Sequence, residues 1–123
     1  MSLAEYFETI EGIGVLATSD SGGNVNAAIY ARPYVIDENR IAFSMLERTS
    51  FANIQSNPKA AYLFVERGEG YEGKRLYLTK AGEETDRERI ETIRRQRPST
   101  RQPTEAKRHL VYFTVEKTRP LVG

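Results

Sequence analysis

Hydrophobic residues recur along the chain with two different periods, which predict helices and strands in turn. Three apolar residues near the start have helical spacing: Leu3, Phe7 and Ile10. Ser2 followed by Glu5 forms a capping-box pattern, which marks a helix start. The sequence therefore predicts a short amphipathic helix over residues 2–11, which Gly12 then breaks.

After this helix the pattern changes to alternation, which is typical of half-buried strands. Six strands are predicted: 14–19, 25–36, 40–46, 60–66, 74–81 and 109–116. The third strand has one fully apolar face: Ile41, Phe43 and Met45. In the fifth strand Leu76 and Leu78 alternate with polar residues. Pro33 cannot donate to a β-ladder, so it marks an edge or a bulge in the second strand.

Two further helices complete the predicted architecture. One is short and lies between the third and fourth strands. The other is charged, begins at a capping box formed by Thr85 and Glu88, and ends at Pro98. We therefore predict a mainly β fold, in which six antiparallel strands close into a small barrel with about three helices around it. Closure removes the exposed edges that a flat sheet would present.

Composition narrows the range of functions. Eighteen basic residues against seventeen acidic ones leave a formal charge of +1, so the overall charge does not indicate nucleic acid or a membrane surface as a partner. The chain contains no cysteine, which excludes disulfides, thiolate nucleophiles and cysteine-bound metal. No apolar run approaches the roughly 20 residues of a membrane span, and the acidic start MSLAEYFETI differs from a basic signal peptide. We expect a single domain over residues 1–123, located in the cytoplasm.

The stretch ERTSFANIQSNP places an arginine and hydroxyl groups at a predicted helix start. The first N–H groups of a helix have no partner within the helix, and together with the helix dipole they attract anions. Arg48, Thr49 and Ser50 are therefore candidates for an anion site. The alternative interpretation is that Thr49 or Ser50 only caps the helix, because serine and threonine are common cap residues.

A glycine motif and a basic segment are less specific candidates. The stretch GEGYEG matches G-x-G-x-x-G, but it precedes a strand instead of a helix and its two glutamates would repel a phosphate, so we interpret it as a hairpin loop. Residues 87–108 carry eight basic and three acidic side chains. The arginines at the end of the predicted helix fit its dipole, which favours a solvated face. A subunit or ligand contact, or nucleic acid, is the alternative for this segment.

His109 is the only histidine. One histidine without cysteine does not make a transition-metal site. Because no carboxylate is near it in sequence, we interpret it as a strand-end residue at or near the surface. No serine lies in a nucleophile-elbow pattern, so hydrolysis is not indicated. The aromatic residues of the strands are interpreted as core, although a flat cofactor requires similar walls.

The order of these elements resembles the pyridoxamine 5'-phosphate oxidase-like family of FMN-binding split barrels. The resemblance covers the leading helix and the stretches GIGVLATSDSGGNVNAAIYARPYVIDENRIAFSM, ERTSFANIQSNPKAAYLF and GKRLYLTKAGEE. It is closest to the short members, which are small FMN-binding proteins and flavin reductases. It implies a six-stranded antiparallel split barrel, a homodimer with FMN in the interface cleft, and FMN-dependent oxidoreductase or electron-transfer activity toward a small acceptor or protein partner.

The resemblance also implies cofactor-binding residues. Arg48, Thr49 and Ser50 align with the family's phosphate-binding cluster. Ser44 aligns with a hydroxyl residue that approaches the isoalloxazine ring, and Lys74 with a polar side chain that faces it. The backbone that edges the flavin corresponds to Ala28, Ile29, Tyr30 and Ala31, with the Tyr30 ring as a pocket wall. No catalytic side chain and no metal are implied.

Three positions depart from the family pattern by lacking a basic residue: Ala28, Pro33 and Ser50. Each lost charge-assisted contact is worth about 1.5–3 kcal/mol. Arg48 is one replacement for the missing charge. Others are Arg32, Arg75 or an arginine of residues 94–97 from a partner chain. The departures favour an alternative function, that of a non-catalytic barrel that has lost FMN and binds haem, a deazaflavin or another anion.

Overall fold

The computed structural model describes residues 1–85 and 108–123. These residues form two helices and seven strands. In chain order the elements are α1 (Leu3–Thr9), β1 (Gly12–Ser19), β2 (Val25–Ile29), β3 (Tyr34–Asp37), β4 (Arg40–Leu46), α2 (Thr49–Ser56), β5 (Lys59–Glu66), β6 (Gly73–Glu84) and β7 (Arg108–Pro120). The part of the predicted third helix from residue 86 onward lies outside the described residues.

Helix α1 confirms the helix predicted at the start of the chain, although it is shorter than 2–11. The backbone N–H of Glu5 donates to the Ser2 hydroxyl at 3.1 Å, which makes Ser2 the N-cap. At the other end Ile10 is already extended. Because the apolar side of α1 is buried, including Phe7 at 0% exposure, the helix is held mainly by packing rather than by intrinsic helix stability.

The seven strands form one antiparallel sheet in the order β2-β1-β5-β6-β7-β4-β3. The prediction of six strands in a closed barrel is therefore wrong in two respects. The predicted strand 25–36 is divided into β2 and β3, and these two strands lie at opposite ends of the sheet. Among the described strands they do not pair, so the sheet is not closed.

The break in the predicted second strand coincides with a contact from a residue that is distant in sequence. The Tyr62 hydroxyl donates to the carbonyl oxygens of Tyr30 at 3.0 Å and Ala31 at 3.1 Å. Pro33, two residues later, has no N–H to donate. A side chain of β5 therefore satisfies the carbonyl oxygens that a β-ladder would otherwise use. The chain stops pairing with β1 after β2 and pairs with β4 as β3, instead of continuing as one strand.

An aromatic cluster fills the inner face of the sheet beneath α1. The rings of Phe7 and Phe64 pack edge to face at 5.3 Å, and Phe43 lies 4.9 Å from Tyr62. The alternation predicted for the third and fifth strands is confirmed, since five side chains are at most 2% exposed: Ile41, Phe43, Met45, Leu76 and Leu78. Within the described residues, neither helix is long and apolar enough to cross a membrane.

Candidate functional site

The start of α2 is an open helix end. Strand β4 ends at Leu46, whose carbonyl accepts the Arg48 N–H at 2.8 Å, and α2 begins at Thr49. The N-cap is Arg48, and no side-chain hydrogen bond caps the helix. The interpretation of Thr49 or Ser50 as a mere cap is therefore wrong, because both are already within the helix. The first N–H groups remain available to an anion.

Polar bonds fix this helix start to the sheet. Ser50 is 3% exposed, and the Asn26 side-chain amide of β2 donates to its hydroxyl at 3.2 Å. One turn later the Asn53 amide donates to the Thr18 hydroxyl of β1 at 3.0 Å. Two amide-to-hydroxyl bonds thus hold α2 against the edge of the sheet. These bonds fix the position of the open helix end relative to β1 and β2.

Tyr30 lies beside this helix start. Its ring packs edge to face on Phe43 at 5.8 Å. Burial raises the pKa of the Tyr30 phenol, and this rise is opposed by the adjacent Ser50 hydroxyl and by the positive charges of Arg108 and Arg48. The phenol is therefore protonated at neutral pH, and its oxygen lies within the field of two guanidinium groups.

Ser44 lies on β4, two residues before this strand ends at Leu46. It extends the group of polar side chains around the start of α2 along the sheet. Its hydroxyl accepts a hydrogen bond from Nη1 of Arg108 at 3.4 Å. Arg108 was not among the residues predicted to bind a cofactor, since its segment was interpreted as a solvated helix face. Its role in the cluster follows from the β4–β7 ladder, in which Arg108 lies opposite Leu46.

His109 is buried, contrary to the prediction of a surface residue. It is 5% exposed, its ring stacks on Phe51 of α2 at 4.3 Å, and Nε2 lies 2.7 Å from a carboxylate oxygen of Glu47. Because a carboxylate only accepts, Nε2 carries the proton and donates. His109 thus contacts residues on both sides of the turn that opens α2. Its alternation with the core residues Val111 and Phe113 was the signal that could have predicted its burial.

The backbone of Ala28 and Ile29 lies on an edge strand. In the ladder of β2 with β1, Ala28 pairs with Leu16 and Ile29 with Val15, while the Tyr30 N–H donates to Gly14 at 2.9 Å. Among the described strands β2 pairs with β1 alone. The outer edge of β2 is therefore unpaired among the described strands, whereas Tyr30 and Ala31 lie beyond the end of β2. The role of residues 28–31 beside a flavin remains a prediction.

Lys74 is not brought to this cluster. Its ammonium group lies 4.7 Å from the centre of the Tyr6 ring. In the ladders Lys74 lies level with Phe64 and with Gly14 of β1. Helix α2 contacts β1 at Thr18, four residues further along the strand. Four strand residues span roughly 13 Å. Within one chain, Lys74 therefore lies toward the other end of the sheet from Ser50.

Two candidates of the sequence remain, the glycine motif and the basic segment. The GEGYEG stretch lies in the loop between β5 and β6, where the Glu66 N–H donates to the Glu72 carbonyl at 2.9 Å, so the hairpin interpretation is confirmed. Most of the basic segment 87–108 lies outside the described residues.

In the part of the chain that the structure describes, no group of acidic, histidine or cysteine side chains could hold a metal ion.

Comparison with solved structures shows which fold this is. An FMN-binding protein from Syntrophomonas wolfei is similar with a TM-score of 0.81 and 18% identity, covering 98% of this chain and 84% of that protein. An F420 reductase is similar with a TM-score of 0.69 and 20% identity over 97% and 98% of the two chains. A Clostridium acetobutylicum protein of the pyridoxinephosphate oxidase family has a TM-score of 0.66 and 19% identity, covering 94% of this chain and 82% of that one. The chain is a split barrel.

The split-barrel resemblance seen in the sequence is thereby confirmed at the level of the fold. The sequence itself matches no protein-family model and no curated protein. In this split barrel the predicted residues form two groups. Ser44, Tyr30 and the turn from Arg48 to Ser50 lie together around the start of α2, with Arg108 added to them. Lys74 lies apart.

Proposed function

We propose that this split barrel binds FMN, with the phosphate at the start of α2, and acts as a flavin-dependent oxidoreductase or electron-transfer protein. The observation that carries the proposal is the open helix end, which has no side-chain cap although it holds two hydroxyl groups and Arg48. No carboxylate of the described residues pairs with Arg48. A dianion would thus meet helix N–H groups, hydroxyl donors and one guanidinium group.

The bound flavin would supply the hydride or electron transfer, while the protein binds and orients it. In this proposal the flavin ring extends from the phosphate past Ser44 and the edge of β2. The Tyr30 ring forms a wall, and its protonated phenol can donate to a negatively charged atom. Such a site needs no acid or base of its own, which is consistent with a cluster of hydroxyl groups and arginines.

We further propose that the protein is a homodimer. Three apolar side chains of β1 and β2 are largely exposed on the outer face of the sheet: Ile13 at 61%, Ile29 at 65% and Val25 at 84%. Contiguous exposed apolar surface on a sheet typically marks an interaction site. A second copy is the occupant that also accounts for Lys74, which is too far along the sheet to reach the α2 cluster of its own chain.

A deazaflavin is the second candidate cofactor. The similarity to an F420 reductase favours it, and such a cofactor also carries phosphate. No observation on the described residues favours haem. The two flavin-type cofactors would share the anion site and differ in the ring that passes Ser44 and Tyr30.

The first experiment is an FMN titration of the purified protein, followed by flavin fluorescence and by the absorption spectrum after unbound FMN has been removed. Arg48→Ala together with Ser50→Ala should weaken binding by at least tenfold, since each removes a contact of about 1–3 kcal/mol. Arg40→Ala is the matched control, because Arg40 is exposed and lies at the end of β4 that is remote from α2.

The outcomes separate the parts of the proposal. Unchanged affinity in the double variant, with an unfolding midpoint close to that of the wild type, would rule out this phosphate anchor. A protein that stays colourless at saturating FMN would rule out FMN itself. A parallel titration with F420 then tests the deazaflavin.

A further inference from the structure

The backbone places the first residue of β7 beside the turn into α2. Arg108 lies opposite Leu46 in the β4–β7 ladder. The carbonyl of Leu46 accepts the Arg48 N–H, and α2 begins at the next residue. Arg108 and Arg48, which are distant in sequence, therefore both lie next to Leu46 at the turn into α2.

The Arg108 side chain extends into the cluster already described. Its Nη1 donates to the Ser44 hydroxyl at 3.4 Å. The charges of Arg108 and Arg48 both oppose the rise in the pKa of the Tyr30 phenol. The Tyr30 oxygen is therefore a point at which the fields of two guanidinium groups overlap. An anion near this oxygen would be attracted by both.

Two of the basic side chains suggested as replacements, Arg32 and Arg75, make hydrogen bonds elsewhere in the structure. Arg32 donates from Nη1 to the carbonyls of Phe7 at 2.9 Å and Ile10 at 3.2 Å, at the end of α1. Arg75 donates to the carbonyls of Pro120 at 2.8 Å and Gly123 at 2.6 Å, at the end of the chain. These contacts hold structural elements and direct both guanidinium groups away from α2.

We infer that Arg108 is the second cation of the anion site and binds the phosphate of FMN together with Arg48. It replaces the basic residues that are lacking at three positions: Ala28, Pro33 and Ser50. The inference rests on the proposed function. Two guanidinium groups and a helix start suit a phosphate monoester, whose dianion offers more charge and more acceptor sites than a carboxylate does.

The test compares FMN and riboflavin, which share the ring but differ in the phosphate. Arg108→Gln should weaken FMN binding roughly 10- to 100-fold, as expected for one charge-assisted contact, and leave riboflavin binding unchanged. Arg108→Lys should show a smaller loss, because lysine keeps the charge without the planar fork. Arg40→Gln, an exposed arginine at the end of β4 remote from α2, should bind FMN like the wild type. Equal loss for both ligands, or no loss for FMN, overturns the inference.

A second readout needs no cofactor. In the ligand-free protein, Arg108→Gln should raise the pKa of the Tyr30 phenol above its wild-type value, because one of the opposing positive charges is gone. The titration is followed by NMR of ring-labelled tyrosine. Tyr30→Phe is the control that assigns the signal. An unchanged Tyr30 titration means that Arg108 is not at the site. If the wild type does not bind FMN, the proposed function fails, and this titration alone decides whether Arg108 belongs to the cluster.

Discussion

Replacing His109 by phenylalanine should make the protein slightly more stable. The two ring nitrogens of this 5% exposed histidine differ in their surroundings. Nε2 bonds to Glu47 at 2.7 Å, whereas Nδ1 is buried and has no hydrogen-bond partner. Phenylalanine keeps the flat ring that stacks on Phe51 and removes both nitrogens.

The expected magnitude follows from the exposure of the two partners. The Glu47 side chain is 57% exposed, so water can replace the bond that this carboxylate loses, and the net worth of the bond is about 0.5–1.5 kcal/mol. A buried polar atom without a partner costs about 1–3 kcal/mol. Removing Nδ1 therefore outweighs losing the Glu47 bond, and the free energy of unfolding should rise by roughly 1 kcal/mol.

Urea unfolding followed by far-UV circular dichroism measures this change, since the chain has no tryptophan. The midpoint of His109→Phe should rise at an unchanged m-value. His109→Ala is the control: it loses the stacked ring and leaves a cavity, so it should lose about 2–4 kcal/mol. A midpoint of His109→Phe below that of the wild type would refute the reasoning, because the bond to Glu47 would then dominate.

Three further changes test other parts of the structure. Gly14→Ala should destabilise by about 1–3 kcal/mol, because a Cβ there would collide with the Tyr62 hydroxyl, whereas Gly22→Ala, with its nearest neighbour at 3.4 Å, should be close to neutral in the same urea assay. Asp20→Asn should lower the free energy of unfolding at pH 7, because hydrogen bonds from Asn24 hold the pKa of Asp20 below its usual range. This stabilisation is present above the unfolded-state pKa, which is near 4, and is lost as the pH falls through the pKa of the folded state. The difference from the wild type should thus disappear in acid unfolding curves. Ile29→Asp should shift the protein toward the monomer in sedimentation velocity, and an unchanged sedimentation coefficient at micromolar concentration would argue against the proposed dimer face.

Local pattern predicted those parts of the fold that depend on nearest neighbours. The Ser2 cap, the apolar face from Ile41 to Met45 and the burial of Leu76 and Leu78 are all confirmed, because periodicity and cap chemistry act within a few residues. The split of the strand over 25–36 was not predicted. It depends on the Tyr62 hydroxyl, which is distant in sequence and whose target no local pattern reveals.

In the candidate site, too, local pattern predicted some features and missed those that depend on residues distant in sequence. The hydroxyl groups beside Arg48 predicted a helix start, which α2 confirms, while their binding of an anion stays a prediction. The sequence did not reveal that Ser50 would be buried against Asn26 instead of capping the helix, or that Arg108 would join it. Both facts arise from ladder register, since β2 and β7 come together with α2 only after the sheet has formed.

The Tyr62 ring also restricts how this sequence can change. Its hydroxyl crosses above Gly14 to reach the carbonyls of Tyr30 and Ala31, so the two positions share one small volume. A Cβ at position 14 would collide with this hydroxyl, with the ring carbon that bears it and with the Tyr30 carbonyl oxygen. Because phenylalanine keeps that ring carbon and the carbonyl belongs to the backbone, loss of the hydroxyl alone does not make room for a side chain. Sequence drift at this point is therefore one-sided: position 62 can exchange tyrosine for phenylalanine only while position 14 stays glycine.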